Sequence, residues 1–290
     1  MVDAEPQRPL GAREEKVLAM GEWDSTTYEG KATIIRVVRG EAERFFALAE
    51  QPGAWERETA CEGWSVRDVV GHIVDTTEGY FEAFEAARAG GDMSPPYGLA
   101  GMGMRANEQA TKFRGTGQAD MMSRLRADFD KMMGILEDVG PEDWSGFIVP
   151  HYYMGPVPAS FYAAGQLMDY TVHSWDIREG IGREHGIHGD AADLLVPYML
   201  VLWMYTIKPD ADRTPFTMGL RIGGRNGGDF KVAISEAGMA YELAAIDDLP
   251  AIIEFDAASM VLTTYGRTNA GTIRGDIPTA ERFLNLFFRI

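Results

Sequence analysis

Asp169 and His173 stand four positions apart in a run whose apolar pattern predicts a helix from about Pro158 to Gly180. Residues at that spacing share one helical face, one turn apart. A carboxylate and an imidazole so placed can converge on one cation. His72 lies midway along a second predicted helix, in Gly71-His72-Ile73-Val74-Asp75. If the two helices are neighbours in a bundle, three ligands meet in its core. Three protein ligands and one open position are what a catalytic divalent centre needs. Taken alone, the Asp169–His173 spacing is more often an ordinary helix-face pair than a metal site. A lone mid-helix histidine such as His72 is more often a packed residue bonded to a carbonyl or to Asp75.

The elements that must position these groups are legible from periodicity. Residues 1–27 read as a polar, loosely held lead-in. A first helix spans about Tyr28 to Glu50, with Ile34, Ile35, Val38, Phe45 and Phe46 at helical spacing. A second opens at Ser65, with Asp68 three residues on as a capping box, and ends at Gly90-Gly91. Residues 92–104 read as a Gly-, Pro- and Met-rich loop. A third helix covers Thr116 to Val139, a loop with Pro150, Pro156 and Pro158 follows, then the Asp169–His173 helix and an apolar helix from Asp190 to Ile207. After Pro209 the texture turns to strands: Phe216–Ile222, a hairpin of Phe230–Ile234 with Met239–Ala245, and Ala251–Phe255. Asp256 caps a helix to Tyr265, Thr272–Gly275 is a strand, and Pro278–Phe288 is a terminal helix. The expectation is an α+β chain, with residues 28–210 a helical bundle and 211–290 a small α/β unit.

Bulk properties narrow the partners. A net charge of −17 lacks the basic footprint of a nucleic-acid binder and disfavours an anionic membrane surface. The longest apolar stretch, Leu194 to Ile207, is about 14 residues against the roughly 20 a spanning helix needs. A single cysteine, Cys61, fits a reducing compartment, and the N-terminus lacks a basic-then-apolar signal pattern. These features together predict a cytoplasmic protein.

The segment from Cys61 through Gly63-Trp64-Ser65-Val66-Arg67-Asp68-Val69-Val70-Gly71 to His72 resembles the N-terminal signature of the mycothiol-dependent maleylpyruvate isomerase family. A second signature, acid-x-x-x-His then x-x-Asp, is met by Asp169, His173 and Asp176. Phe255 to Asp276, with Gly266-Arg267 and Gly275-Asp276, resembles the family's sterol-carrier-like C-terminal domain. The resemblance implies a DinB-like antiparallel bundle in which His72, Asp169 and His173 hold a divalent metal, zinc by family habit. It implies a catalytic or substrate-anion role for Arg267. It also implies mycothiol, the low-molecular-weight thiol of actinobacteria, as cosubstrate. Two departures stand out: the usual acid ligand is Glu, where this chain has Asp169, and an Arg often found three residues earlier is Gln166.

The function this implies is that of a metal-dependent transferase or isomerase. It would use a metal-bound thiolate for S-transfer, conjugation or cis–trans isomerisation of a small molecule. Two other readings remain open at this point: a non-catalytic small-molecule binding protein, and a metal-dependent hydrolase without thiol. Asp75 and Asp176, each three residues after a candidate ligand, are placed to orient imidazoles; the plainer alternatives are a solvent-facing carboxylate for Asp75 and a helix-stabilising one for Asp176. Arg267 is suited either to a substrate carboxylate or to a helix C-terminus. His151, Tyr152 and Tyr153 lie in a loop able to cover the bundle mouth. Met93, Met102 and Met104 form a methionine cluster that lines a pocket or packs a loop. His185 and His188 read as surface residues, and Cys61 as a small buried residue with no histidine partner in the sequence.

Overall fold

A computed structural model of the chain describes residues 21–90, 95–182 and 186–290. Six long or medium helices come first: α1 (Lys31–Ala49), α2 (Val66–Ala89), α3 (Met102–Thr111), α4 (Gln118–Glu137), α5 (Ala159–Gly180) and α6 (Gly189–Tyr205). A two-stranded hairpin, β1 (Ile148–His151) and β2 (Gly155–Pro158), stands between α4 and α5. Then come β3 (Phe216–Ile222), β4 (Gly228–Ser235), β5 (Gly238–Leu243), β6 (Ala251–Phe255), α7 (Ala257–Thr264), β7 (Thr272–Gly275) and α8 (Ile277–Leu284). No helix among the described residues is long and apolar enough to cross a membrane.

The bundle core is built where the apolar stripes meet. Helix α1 lies against α5, and α2 against both α3 and α4. Phe45, Phe46 and Phe129 close edge-on around Tyr170, with ring centroids 5.4–5.7 Å from it. Such contacts add about 0.5–1.5 kcal/mol each beyond simple burial. Helix α5 has lost its amphipathic character because it is covered on nearly all sides: from Ala159 to Ile177 only Asp169 is not fully buried. A polar ligand on such a helix must face a cavity or a partner. The capping box expected at Ser65 is present, and Arg114 adds two hydrogen bonds to the Asp68 carboxylate, at 2.7 and 3.1 Å.

The five strands of the C-terminal unit run in the order β5-β4-β3-β6-β7, with β3 and β6 parallel and every other pair antiparallel. Met218, Leu220 and Ile222 on β3 and Phe230, Val232 and Ile234 on β4 point inward at period two. Asp256 accepts from Ser259 N at 2.8 Å, capping α7 as its position in the sequence suggested. Helix α6 packs on α5 and α1 on one side and on α7 on the other. The structure thus has the expected helical bundle followed by a small α/β unit.

Several local expectations are corrected. The loop foreseen across 92–104 gives way after Gly98 to a 3₁₀ turn, Leu99–Gly101, and then to α3; Met93 lies outside the described residues. The proline-containing loop before α5 is the β1–β2 hairpin. The foreseen terminal helix stops at Leu284, and Phe287 instead stacks on Trp203 with centroids 5.5 Å apart. The last part of the lead-in is firmly docked. Ser25 is fully buried, its carbonyl accepting from Trp144 Nε1 at 3.0 Å, and Arg225 sits 4.0 Å over the Trp23 ring.

Candidate metal centre

Helices α2 and α5 bring His72, Asp169 and His173 together. Their ligand atoms all lie within 4.8 Å of one another, and His72 Nε2 is 3.9 Å from Asp169 Oδ1. The two imidazoles meet edge to face, with centroids 5.1 Å apart. Around a tetrahedral zinc with bonds of about 2.1 Å, ligand atoms would sit roughly 3.4 Å apart, so closure requires only side-chain rotation. Asp169 Oδ2 is buried with no hydrogen-bond partner. A buried carboxylate oxygen left unpaired is costly, and a cation would remove that cost. The donor set, two imidazoles and one carboxylate, also suits zinc.

Asp176 supports His173 from behind. Its Oδ2 lies 2.9 Å from His173 Nδ1, which leaves Nε2 of the ring free for a cation. Arg267, from the far end of the C-terminal unit, closes on the same carboxylate with Nε to Oδ1 at 2.8 Å and Nη2 to Oδ2 at 3.0 Å. Burial opposes ionisation of Asp176, but the hydrogen bonds from His173 and Arg267 outweigh it and hold the carboxyl well below the usual range. Burial lowers the pKa of His173, against the pull of Asp176. Arg267 also donates through Nη1 to the carbonyls of Tyr265 (3.1 Å) and Ile290 (2.6 Å). Arg267 thus touches the end of α7, and its two-pronged partner here is Asp176.

Cys61 belongs to this cluster, which the sequence did not reveal. Its Sγ lies 3.8 Å from His173 Nδ1 and donates to Asp176 Oδ2 at 3.1 Å. Burial and the adjacent Asp176 push the thiol up to about 12, so it keeps its proton. Cys61, His173 and Asp176 are themselves close enough to share an ion. Arg267 already occupies both oxygens of Asp176, however, and a cation there would face a guanidinium. The His72–Asp169–His173 set has no such competitor.

Asp75 does not orient His72. It pairs instead with Lys112 (2.8 Å) and Arg105 (3.5 Å). Trp64 takes the place beside the ligands: its ring centroid is 5.3 Å from that of His72 and 6.3 Å from that of His173, and its Nε1 donates to Asn107 at 2.9 Å. Gln166, where the family often has Arg, is fully buried and donates to Thr77 Oγ1 at 3.1 Å.

The three candidate ligands line a cavity of about 610 Å³ whose wall also includes Trp64, Tyr80, Arg105, His151, Tyr153 and Arg267. Met102 lines it too, whereas Met104 is exposed. His188 pairs with Glu41 at 3.1 Å, and His185 lies outside the described residues.

Comparison with known proteins agrees with this architecture. Residues 38–178 match the family described as Mycothiol maleylpyruvate isomerase N-terminal domain. The crystal structure of the mycothiol-dependent maleylpyruvate isomerase superposes with a TM-score of 0.57 at 14% identity, covering 86% of this chain and 95% of that one. A histidine-to-alanine mutant of that enzyme superposes with a TM-score of 0.57 at 13% identity and the same coverage. No curated protein matches the sequence. Residues 38–178 are thus similar to the mycothiol maleylpyruvate isomerase N-terminal domain, in a chain that has the isomerase's fold along most of its length.

Proposed function

We propose that this chain is a metal-dependent enzyme that uses a low-molecular-weight thiol, mycothiol, to isomerise a small conjugated acid of the maleylpyruvate type. One observation carries the reading. His72, Asp169 and His173 converge at the wall of a large cavity, with a buried carboxylate oxygen that no protein group satisfies. His72, Asp169 and His173 would hold the ion. A divalent cation bound there would supply a Lewis acid able to keep a thiol as its thiolate near neutral pH.

The chain's own residues do the rest. Asp176 accepts a hydrogen bond from His173 Nδ1–H and so fixes which ring nitrogen faces the cavity. Arg267 holds Asp176 ionised and in place. Trp64 and Tyr80 wall the ligands and exclude water from their sides. Cys61 retains its proton and does not compete as a nucleophile. The reaction class is reversible thiol addition to an activated alkene: the sulfur–carbon bond forms, the remaining single bond rotates, and loss of the thiol restores the alkene with opposite geometry.

The test is metal analysis of purified protein together with turnover of maleylpyruvate in the presence and absence of mycothiol. The expected result is one bound divalent ion per chain, as three protein ligands imply, loss of that ion in His72→Ala, and turnover only with both ion and thiol. Turnover by metal-free protein would overturn the reading. Formation of a hydrolysis product with metal but no thiol would identify a hydrolase instead.

A further inference from the structure

His151 ends β1 directly opposite Gly155, and the chain turns between them through Tyr152, Tyr153 and Met154. Gly155 has φ +78°, the left-handed position that closes a three-residue hairpin loop. The imidazole is folded under this turn. Its Nδ1 accepts from the backbone N–H groups of Tyr153 and Met154, each at 3.3 Å. An imidazole nitrogen that accepts cannot carry the proton, so the neutral ring has its hydrogen on Nε2. Both side-chain hydrogen bonds of His151 among the described residues are made by Nδ1, which leaves the Nε2–H unengaged there. The ring is packed among Tyr80, Tyr153, Phe161 and Tyr162, at centroid distances of 5.8–6.1 Å, and it lines the same cavity as Asp169 and His173.

We propose that His151 is a catalytic residue acting through a neutral Nε2–H, which donates a hydrogen bond to the substrate carbonyl oxygen that gains charge as the thiol adds. This rests on the thiol-addition reading given above. The thiol gives its proton to solvent before attack. As the sulfur–carbon bond forms, the alkene π pair moves through the conjugated system onto the carbonyl oxygen, giving an enolate. His151 keeps its proton throughout. When the sulfur–carbon bond breaks, the pair returns, the alkene reforms, and the thiolate regains its proton from solvent. A fixed donor in a water-poor wall is suited to this, since it needs no reorganisation when charge appears. Burial also lowers the His151 pKa to about 4, so the ring stays neutral at working pH despite the attraction of Asp169. An imidazolium there would carry a proton on Nδ1 and lose both turn contacts.

Two variants separate the two ring nitrogens. In His151→Asn the amide oxygen replaces Nδ1 and can hold the turn, but no donor remains at the Nε2 position. In His151→Gln the amide nitrogen reaches that position. The expected result is that His151→Asn folds with an unchanged melting profile and loses about 10²-fold in kcat with little change in KM, as when an oxyanion donor is removed. His151→Gln is expected to recover most of that loss. Nitrogen-15 NMR of the wild type without substrate should show the Nε2–H tautomer from pH 5 to 8. An Nδ1–H tautomer or a charged ring at pH 7 would overturn the assignment, as would a folded His151→Asn with wild-type kcat. A wild type unable to turn over maleylpyruvate with mycothiol would sink the functional reading and this role with it, whereas the NMR result stands independently of turnover.

Discussion

Arg267 and Asp176 lie 91 positions apart in sequence, yet they share two parallel hydrogen bonds, from Nε to Oδ1 and from Nη2 to Oδ2. The arginine follows α7 of the C-terminal unit, and the aspartate sits one turn beyond His173 on α5. The orientation of a candidate ligand in the bundle is therefore set partly from outside the bundle.

Breaking this pair from either side should have different consequences. Arg267→Met leaves the Asp176 charge buried with less compensation and should destabilise the fold by about 3–5 kcal/mol, read from urea unfolding. Asp176→Asn weakens the grip on His173 and should lower zinc affinity by about 10–100-fold, read by competition with a chelator. The double substitution should cost less than the sum of the two, because neither charge is then left alone.

Metal removal should appear in stability as well as activity. At free zinc about 100 times the dissociation constant, binding adds about 2.7 kcal/mol to the native state. Chelator treatment should lower the melting temperature of the wild type and leave those of His72→Ala and Asp169→Ala unmoved. A chelator response of equal size in all three proteins would argue against this ligand set.

Helices α2 and α5 approach closely at Gly165, where an added Cβ would stand 2.5 Å from Tyr80 Oη. Gly165→Ala should overpack this contact at a cost of about 1–3 kcal/mol. Tyr80→Phe in the same background removes the clashing oxygen and should restore most of that stability. Chemical denaturation of the single and double variants measures the coupling.

Asp128, on α4, gives a pH signature of its own. Burial and the nearby Glu78 push its carboxyl up to about 6, with Arg124 and Lys131 pulling the other way. Its Oδ2 is buried without a partner. Because its folded pKa exceeds the unfolded value of about 3.9, the native state binds more protons between pH 4 and 6, and stability falls as pH rises through that window. Asp128→Asn should therefore stabilise the protein by about 1 kcal/mol at pH 7, a figure discounted for partial exposure. The advantage should vanish at pH 4. Urea midpoints at the two pH values test it.

Much of this fold can be read from hydrophobic spacing. Helices α1, α2, α4, α5 and α6 carry long apolar stripes, and β3 to β6 show strand texture bounded by glycines. Helix α3 escapes because only Ala106 and Ala110 of its ten residues are buried, a stripe too narrow and too small to register, and Gly101 and Gly103 blur its start. The β1–β2 hairpin escapes because Pro150, Pro156 and Pro158 suggest a loop, although Val149 and His151 alternate inward across only four residues. In the candidate site, the turn-spaced Asp169 and His173 are visible in sequence, as is His72 on a neighbouring helix. Asp176 is also visible, through its offset from His173, but its contacts with Cys61 and Arg267 are not, since these come from a loop and the distal unit. Asp75 shows the limit of spacing arguments: it has the same offset from His72 as Asp176 has from His173, but cations on and just after α3 claim it.

Helix α6 lies between the bundle and the α/β unit, apolar on all sides beyond Asp193, with Trp203 meeting Phe255, Phe283 and Phe287 on the distal side. It serves as a common wall, so neither half closes its interior without the other. The two halves consequently stand or fall together: heat should melt them in one cooperative step, and grafting a foreign C-terminal unit onto this bundle would mean rebuilding the wall before any chemistry could be regained.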